Sequence, residues 1–592
     1  MLVLDVECYK DYFLVMFKDT KSGKYASYEM FDGHPLNVSR VSHLMKNNIT
    51  VSFNGLGYDL FMIEAALANR NCKELNDISN EIIKSNLPPW KVARKHDISI
   101  PRRWDHIDLM EVAPGRASLK IYGGRLHANK MQDLPIEPSA SISPDDRKDL
   151  RQYCANDLDT TELLLNALRG QIKLRVDMSK QYGGIDLRSK SDSQIAETII
   201  KREVEALTGG DLRTPKIEDG KTYRYPDPGI VSFFDQDLIN MFDRIKNTDF
   251  PIGLNGSVVM PNWLKDERIV IGGKAYQMGI GGLHSCEKSQ SVVADADHIL
   301  ADFDVASYYP SIILKLKLSP ETMGDDFLSV YQSIVTRRLE AKAGGDDVTA
   351  ASLKIAVNGS FGKLGSKYST LYAPDLLIRT TITGQLCLLM LIERMEAQGV
   401  EVVSANTDGI VIYCHKSKES VLDDVTFDWM METSFELERS DYRALHSRDV
   451  NNYVAIKLDG KVKRKGAYSE SGLMKNPEFG IVSDAVCKYL SDGTPLDVTI
   501  KGCDDPAKFV MVRRVDGGAE WRGEYLGKAV RFYYSETAMQ SEGISYKRNG
   551  NRVPNSQGAK PLMELPDTIM PDIAYERYIG IAQSVLKDMG AV

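Results

Sequence analysis

The order of apolar and polar positions predicts an N-terminal third of alternating strands and helices. MLVLDVE and YFLVMF read as paired strands, ITVSFN as another, and YDLFMIEAALA as a helix. At Ser143-Pro144-Asp145-Asp146, a cap residue, a first-turn proline and two acids predict a helix start. That helix carries YCANDLDTTELLLNAL. A polar, glycine-rich stretch from about Tyr182 to Asp227 predicts a junction between domains. Beyond it HILADFDV reads as a strand, and Pro310 suits the first turn of a helix. IVTRRLEAK, the loop AGGDDVTA and SLKIAVNGSFG predict two short antiparallel helices, followed by a long helix that Gly399 ends. VEVVSANTDGIVIYCH predicts two strands around a tight turn at Asn406-Thr407-Asp408-Gly409. From about Ser469 onward the pattern predicts mostly helix of mixed charge, with no motif chemistry.

A length of 592 residues favours roughly three or four domains, and no internal repeat is visible. Hydrophobic content of 43% and charged content of 26% predict a chain that folds throughout. The apolar stretch Leu386 to Ile392 runs straight into Glu393 and Arg394, far short of the roughly 20 residues that span a bilayer, so no membrane segment is expected. Asp5 and Glu7 stand where a secretion signal needs a basic region and an apolar run, which predicts an intracellular, cytoplasmic protein. The 8 cysteines form no CxxC pair, which argues against a zinc ribbon or disulfide framework and for reduced thiols. A net charge of −8 does not exclude nucleic acid, because phosphate binding needs a local basic surface and not a basic total.

Asp5 and Glu7 are two apart on a predicted strand, so both side chains leave one face at the edge of an apolar run. Two carboxylates about 4 Å apart repel by about 4 kcal/mol at an effective dielectric of about 20, so such a pair calls for a cation or a proton. Alone, a DxE pair reads as solvated surface. Here Asn54-Gly55-Leu56-Gly57-Tyr58-Asp59 and Tyr153-Cys154-Ala155-Asn156-Asp157 follow in the same domain, with Tyr153 and Asp157 one helical turn apart. DxE, then NxxxYD, then YxxxD resembles the DEDDy exonuclease pattern found in family B DNA polymerases. The resemblance implies that Asp5, Glu7, Asp59 and Asp157 hold two metals and that Tyr153 helps orient the attacking water.

Further on, Asp302-Phe303-Asp304-Val305-Ala306-Ser307-Tyr308-Tyr309-Pro310 resembles motif A of the same family, with Asp304 at the catalytic aspartate. Asn406-Thr407-Asp408-Gly409 by itself is an ordinary hairpin turn, but downstream of motif A it resembles motif C. It departs from the family, which usually has aspartate at Asn406 and serine at Gly409. The implied metal ligands are Asp304, Asp408 and the carbonyl of Val305. Arg338 and Lys342 stand one turn apart and Lys354 lies on the returning helix, so the three are candidates to face one phosphate chain, or simply a solvated basic face. Lys354 to Gly362 resembles motif B, which adds Asn358 as a nucleotide-binding residue, with Gly359 and Phe361 replacing the commoner serine and tyrosine. Tyr309 is expected under the incoming sugar, excluding a 2′ hydroxyl. Tyr276 with Gly281-Gly282 resembles a template-contacting loop. Tyr453 and Lys463-Arg464-Lys465-Gly466 resemble the segments that hold the primer duplex, although Asn451 stands where a lysine is expected.

The resemblance covers most of residues 1 to 470 and implies an α/β multidomain fold. A ribonuclease H-like exonuclease domain is expected at 1–175, and a linker with the N-terminal palm region at 176–300. A right-hand polymerase is expected to follow, with palm at 301–335 and 366–468, short two-helix fingers at 336–365 and a mostly helical thumb at 469–592. The implied activity is addition of dNTPs to a primer 3′ end with 3′-5′ exonuclease proofreading, on phage or plasmid DNA, using two Mg²⁺ or Mn²⁺ per active site. The expected partners are primer-template DNA and dNTP, with replication accessory proteins as further candidates, and the chain is expected to act as a monomer. Intervals of only about 50 residues between motifs A and B and between B and C argue against protein priming. Two other readings remain: a 3′-5′ exonuclease whose polymerase half is inactive, suggested by Asn406, and a catalytically silent DNA-binding scaffold.

Overall fold

The first apolar run, Leu2–Cys8, becomes the middle strand of a five-stranded sheet in the order Tyr25–Phe31, Tyr12–Asp19, Leu2–Cys8, Thr50–Ser52, His106–Asp108. The first three strands are antiparallel and the last two run parallel to Leu2–Cys8. A strand buried on both faces needs apolar residues at odd and even positions alike. Leu4, Val6 and Cys8 accordingly pack with Met62, Ile63, Leu75 and Ile78 on one side. Val3 packs on the other side with Leu150, Cys154 and Leu158, a stripe at helical spacing on Pro144–Ala167. That helix opens with the predicted cap: Ser143 Oγ accepts from the Asp146 amide, Asp146 answers with its carboxylate, and Pro144 follows the cap.

The computed structural model describes residues 1–85, 87–101, 103–216 and 220–592. It divides the chain into two units, one of residues 1–191, 470–484 and 497–579, the other of residues 192–469, 485–496 and 580–592. The division after Ser191 falls inside the predicted junction, part of which (217–219) lies outside the described residues. Straight after it comes a helix the polar composition concealed, Asp192–Thr208, which buries Ile195, Ala196, Ile199, Ile200 and Val204.

The expectation of a mostly helical, separate segment at 469–592 is overturned. Most of that stretch belongs to the first unit, where four of its segments pair as a second sheet, ordered Ser545–Tyr546, Met511–Trp521, Glu524–Tyr534, Ala559–Pro561, and α-helix in the stretch is confined to Gly480–Asp492, Leu496–Lys501 and Tyr575–Asp588. Its two long strands turn at Arg522-Gly523, both with positive φ (50° and 83°), the conformation a two-residue hairpin of this twist requires. Arg531, fully buried on the second strand, donates from its guanidinium to the carbonyls of Ala128 (2.8 Å) and Asn129 (3.0 Å), tying this sheet to the N-terminal part of the unit.

The second unit is built on a ten-stranded sheet whose centre runs Leu437–Asp449, His298–Val305, Gly409–His415, Glu401–Asn406, Gly282–Ser285, every neighbouring pair antiparallel. Helix Pro374–Ala397 packs in the core of this unit. By length and apolar composition it matches a membrane span, but 83% of its apolar window is buried inside the protein. The two predicted helices after motif A run longer than expected, Gly324–Ala343 and Asp347–Leu364, and Asp192–Thr208 packs against both.

Candidate functional site

Each unit carries a cluster of carboxylates. In the first, the period of two along Leu2–Cys8 puts Asp5 and Glu7 on the face of Val3, the face that helix Pro144–Ala167 covers. Tyr153 and Asp157 come from that helix, both buried, and Asp59 opens helix Asp59–Leu67, also buried. Ligand atoms of Asp5, Glu7 and Cys154 lie within 4.8 Å of one another. The Cys154 thiol donates to Asp5 (3.7 Å).

Burial above all, then the negative charge of Asp157, pushes the Asp5 carboxyl up to about 7. Burial, with Asp5 and Asp157 beside it, holds Glu7 well above the carboxylate range, and burial with Asp5 and Asp108 does the same to Asp59. Asp157 is raised by burial and relieved by Lys120, which forms an ion pair with it and lies 4.2 Å from the centre of the Tyr153 ring. Four crowded carboxylates, Asp59 and Asp157 buried and Asp5 and Glu7 partly so, with one lysine paired to Asp157, are a donor set for hard divalent cations, since a cation removes the repulsion that otherwise keeps protons on them.

Lys120 and Cys154 were missed in the sequence. Lys120 follows the cap residue Ser118 of a short helix, Leu119–Arg125, whose pairing with Asp157 is a tertiary event. Asp108 was missed too: it accepts from the amides of Asn54 (2.8 Å) and Leu56 (2.9 Å), holding the loop that leads to Asp59.

In the second unit Asp304 stands near the end of His298–Val305, opposite Gly409, the residue after Asp408. The Val305 amide donates to the Asp408 carbonyl (2.7 Å), so Asp304, Val305 and Asp408 meet through the backbone. Burial, then Asp302, lifts Asp304 to about 6, with Lys463 opposing and Asp408 adding. Asp408 is raised by burial and relieved by Lys465. Asp302 itself is tied elsewhere, accepting from the Tyr442 hydroxyl (2.5 Å) and pairing with Lys463 (3.0 Å). Tyr442 and Lys463 in this arrangement were not foreseen.

Around this cluster, the Tyr309 hydroxyl donates to the Gly281 carbonyl (3.0 Å) and its ring stacks on Phe361 (4.3 Å between centroids). The Arg338 guanidinium reaches Ser307 Oγ (3.3 Å). Lys342, Lys354 and Asn358 lie exposed on the helix pair, with Lys354 and Asn358 one turn apart and Phe361 on the next turn. The Tyr453 carbonyl accepts from the Lys465 amide (2.9 Å), and the Lys465 ammonium lies 5.8 Å from the Tyr453 ring centre. Tyr276 is a correction. Along Lys274–Gly279 the inward positions are Tyr276 and Met278, so Tyr276 is fully buried and unable to touch a template strand.

No protein-family model matches the chain. Among curated proteins it resembles DNA polymerase 1 of Aeropyrum pernix, 23% identical over 471 residues, covering 74% of this chain and 44% of that one. It also resembles DNA polymerase 1 of Sulfurisphaera ohwakuensis, 23% identical over 225 residues (38% and 22%). The chain spans less than half the length of these two curated relatives. Among solved structures, the family B DNA polymerase of Pyrobaculum calidifontis aligns over 100% of this chain and 78% of that one, at 14% identity and a TM-score of 0.41.

Proposed function

We propose that the chain is a template-directed DNA polymerase with a 3′-5′ proofreading exonuclease. The observation that carries this reading is the pair of separate carboxylate clusters, Asp5, Glu7, Asp59 and Asp157 in one unit and Asp304 and Asp408 in the other. Resemblance to DNA polymerase 1 supports the synthetic half. The ribonuclease H-like exonuclease and right-hand polymerase assignments, with fingers around Gly324–Leu364, belong to this proposal.

Both clusters fit Mg²⁺ or Mn²⁺, two per site, with Val305 contributing its carbonyl beside Asp304 and Asp408. When bound, such ions supply charge neutralisation of the phosphate and acidification of the attacking oxygen. The chain's own residues bind and orient. Arg338, Lys342 and Lys354 take the triphosphate, Asn358 lies beside them, and Tyr309 packed on Phe361 forms the floor under the sugar. Lys465 and Tyr453 hold the primer strand near its 3′ end. In the exonuclease, Tyr153 orients water, and Lys120 offsets the charge of Asp157 and of the scissile phosphate. The substrates are primer-template DNA and dNTP. The chain acts as a monomer in the cytoplasm, on phage or plasmid DNA, with accessory replication proteins as further partners.

Primer extension and single-strand digestion in Mg²⁺, followed by EDTA, test the reading. Asp408→Ala should abolish extension and spare digestion, and Asp5→Ala with Glu7→Ala should do the reverse. Loss of both activities from either change in a folded protein would overturn the two-site assignment. Digestion without any dNTP incorporation by the native chain would leave only the nuclease half.

A further inference from the structure

The turn that carries Asp408 is held by its neighbours at three points. The Val305 amide donates to the Asp408 carbonyl and the Thr407 amide donates to the Leu283 carbonyl (both 2.7 Å). The third is a side chain: Asn406 Nδ2 donates to the Val450 carbonyl (3.0 Å), while Asn406 Oδ1 accepts from Thr407 Oγ1 (3.1 Å). A carbonyl oxygen can only accept, so the end of the amide that faces Val450 is fixed.

Such anchoring is needed because the turn is strained. Thr407, a β-branched residue, sits at φ 59°, in the left-handed region that glycine or asparagine normally fills. Gly282 makes room for it, since a Cβ there would lie 2.9 Å from Thr407 Cγ2. On the other side the turn presses directly on Asp304. A Cβ on Gly409 would lie 2.8 Å from the Phe303 carbonyl oxygen and closer still to the Asp304 carboxylate. The turn is thus packed closely between Gly282 and Asp304, with no room for a side chain at Gly282 or Gly409.

We propose that Asn406 is a positioning residue for polymerisation, whose amide clamps the turn to Val450 and so sets the place of Asp408 relative to Asp304. Aspartate cannot substitute for it. An ionised carboxylate has no hydrogen to give, would meet the Val450 carbonyl as a second acceptor, and would swing away and release the turn. Asn406 is thus not a lost metal ligand but the residue that this backbone arrangement requires. The inference rests on the polymerase reading above and deepens it.

The test compares Asn406→Asp with Asn406→Ala in the full chain, using single-strand digestion as the control for folding. Both should lower kcat for dNTP addition at least tenfold, with the KM for dNTP nearly unchanged and aspartate no better than alanine. In metal-free buffer both should speed hydrogen exchange in the 401–415 peptide, which a role as mere ligand would not do. Extension by Asn406→Asp at or above the native rate, or native exchange in both variants, would overturn the proposal. If the native chain adds no dNTP at all, the polymerase reading fails by itself, and the exchange experiment still decides whether Asn406 clamps the turn.

Discussion

Single residues in both clusters pay for function with charge repulsion. The folded state holds a proton on Asp5 up to about 7, against an ordinary 3.8, so the metal-free protein loses stability as pH rises through that interval. Two outcomes are expected. In EDTA at pH about 8, Asp5→Asn should raise the melting temperature, and in the native chain Mg²⁺ should stabilise more at pH about 8 than at about 5.5, as calorimetry would show. The Mg²⁺ needed for half-maximal extension should likewise fall as pH climbs past about 6, the value to which Asp304 is lifted. A flat metal requirement across that range would count against Asp304 as a ligand. Tyr309 lies on Phe361 with its hydroxyl fixed to Gly281. Tyr309→Ala should admit ribonucleotides, and unchanged sugar discrimination would remove Tyr309 from that role.

Elements decide which residues meet. Pro144–Ala167 brings Tyr153 and Asp157 onto the face of Asp5 and Glu7 because its apolar stripe at Leu150, Cys154 and Leu158 must cover Val3. In the other unit, Pro374–Ala397 is buried along most of its length. Leu389→Ala should cost about 2–5 kcal/mol, lowering the urea midpoint of that unit's transition. The hairpin at Arg522-Gly523 depends on a backbone that branched residues resist. Gly523→Val should therefore destabilise the first unit by about 1–2 kcal/mol, with less effect on the second. Equal loss in both units would show that they do not melt separately.

Across the whole molecule, charge is acidic in sum and basic in places. Residues 545–563 carry Lys547, Arg548, Arg552 and Lys560 with no acid, and Lys547 and Arg548 are exposed. Reversing Lys547 and Arg548 to glutamate should weaken primer-template binding and flatten its dependence on salt, by about 0.9 in the log-log slope for each phosphate no longer neutralised. An unchanged slope in a salt titration by fluorescence anisotropy would place the DNA elsewhere.

The sequence by itself determined the local units: the capped helix at Ser143, the hairpin at Asn406-Gly409, and the spacing that puts Asp5 with Glu7 and Tyr153 with Asp157. Those follow from periodicity and turn chemistry, which act over a few residues. Tertiary structure alone decided that Lys120 meets Asp157, that Tyr276 faces inward, that Met511–Trp521 and Glu524–Tyr534 pair as a sheet within the unit of the N-terminal strands, and that Asn406 answers the carbonyl of Val450. Pairings between distant segments arise when packed strands and helices bring their ends together, and no short-range pattern encodes which carbonyl or carboxylate will be waiting there.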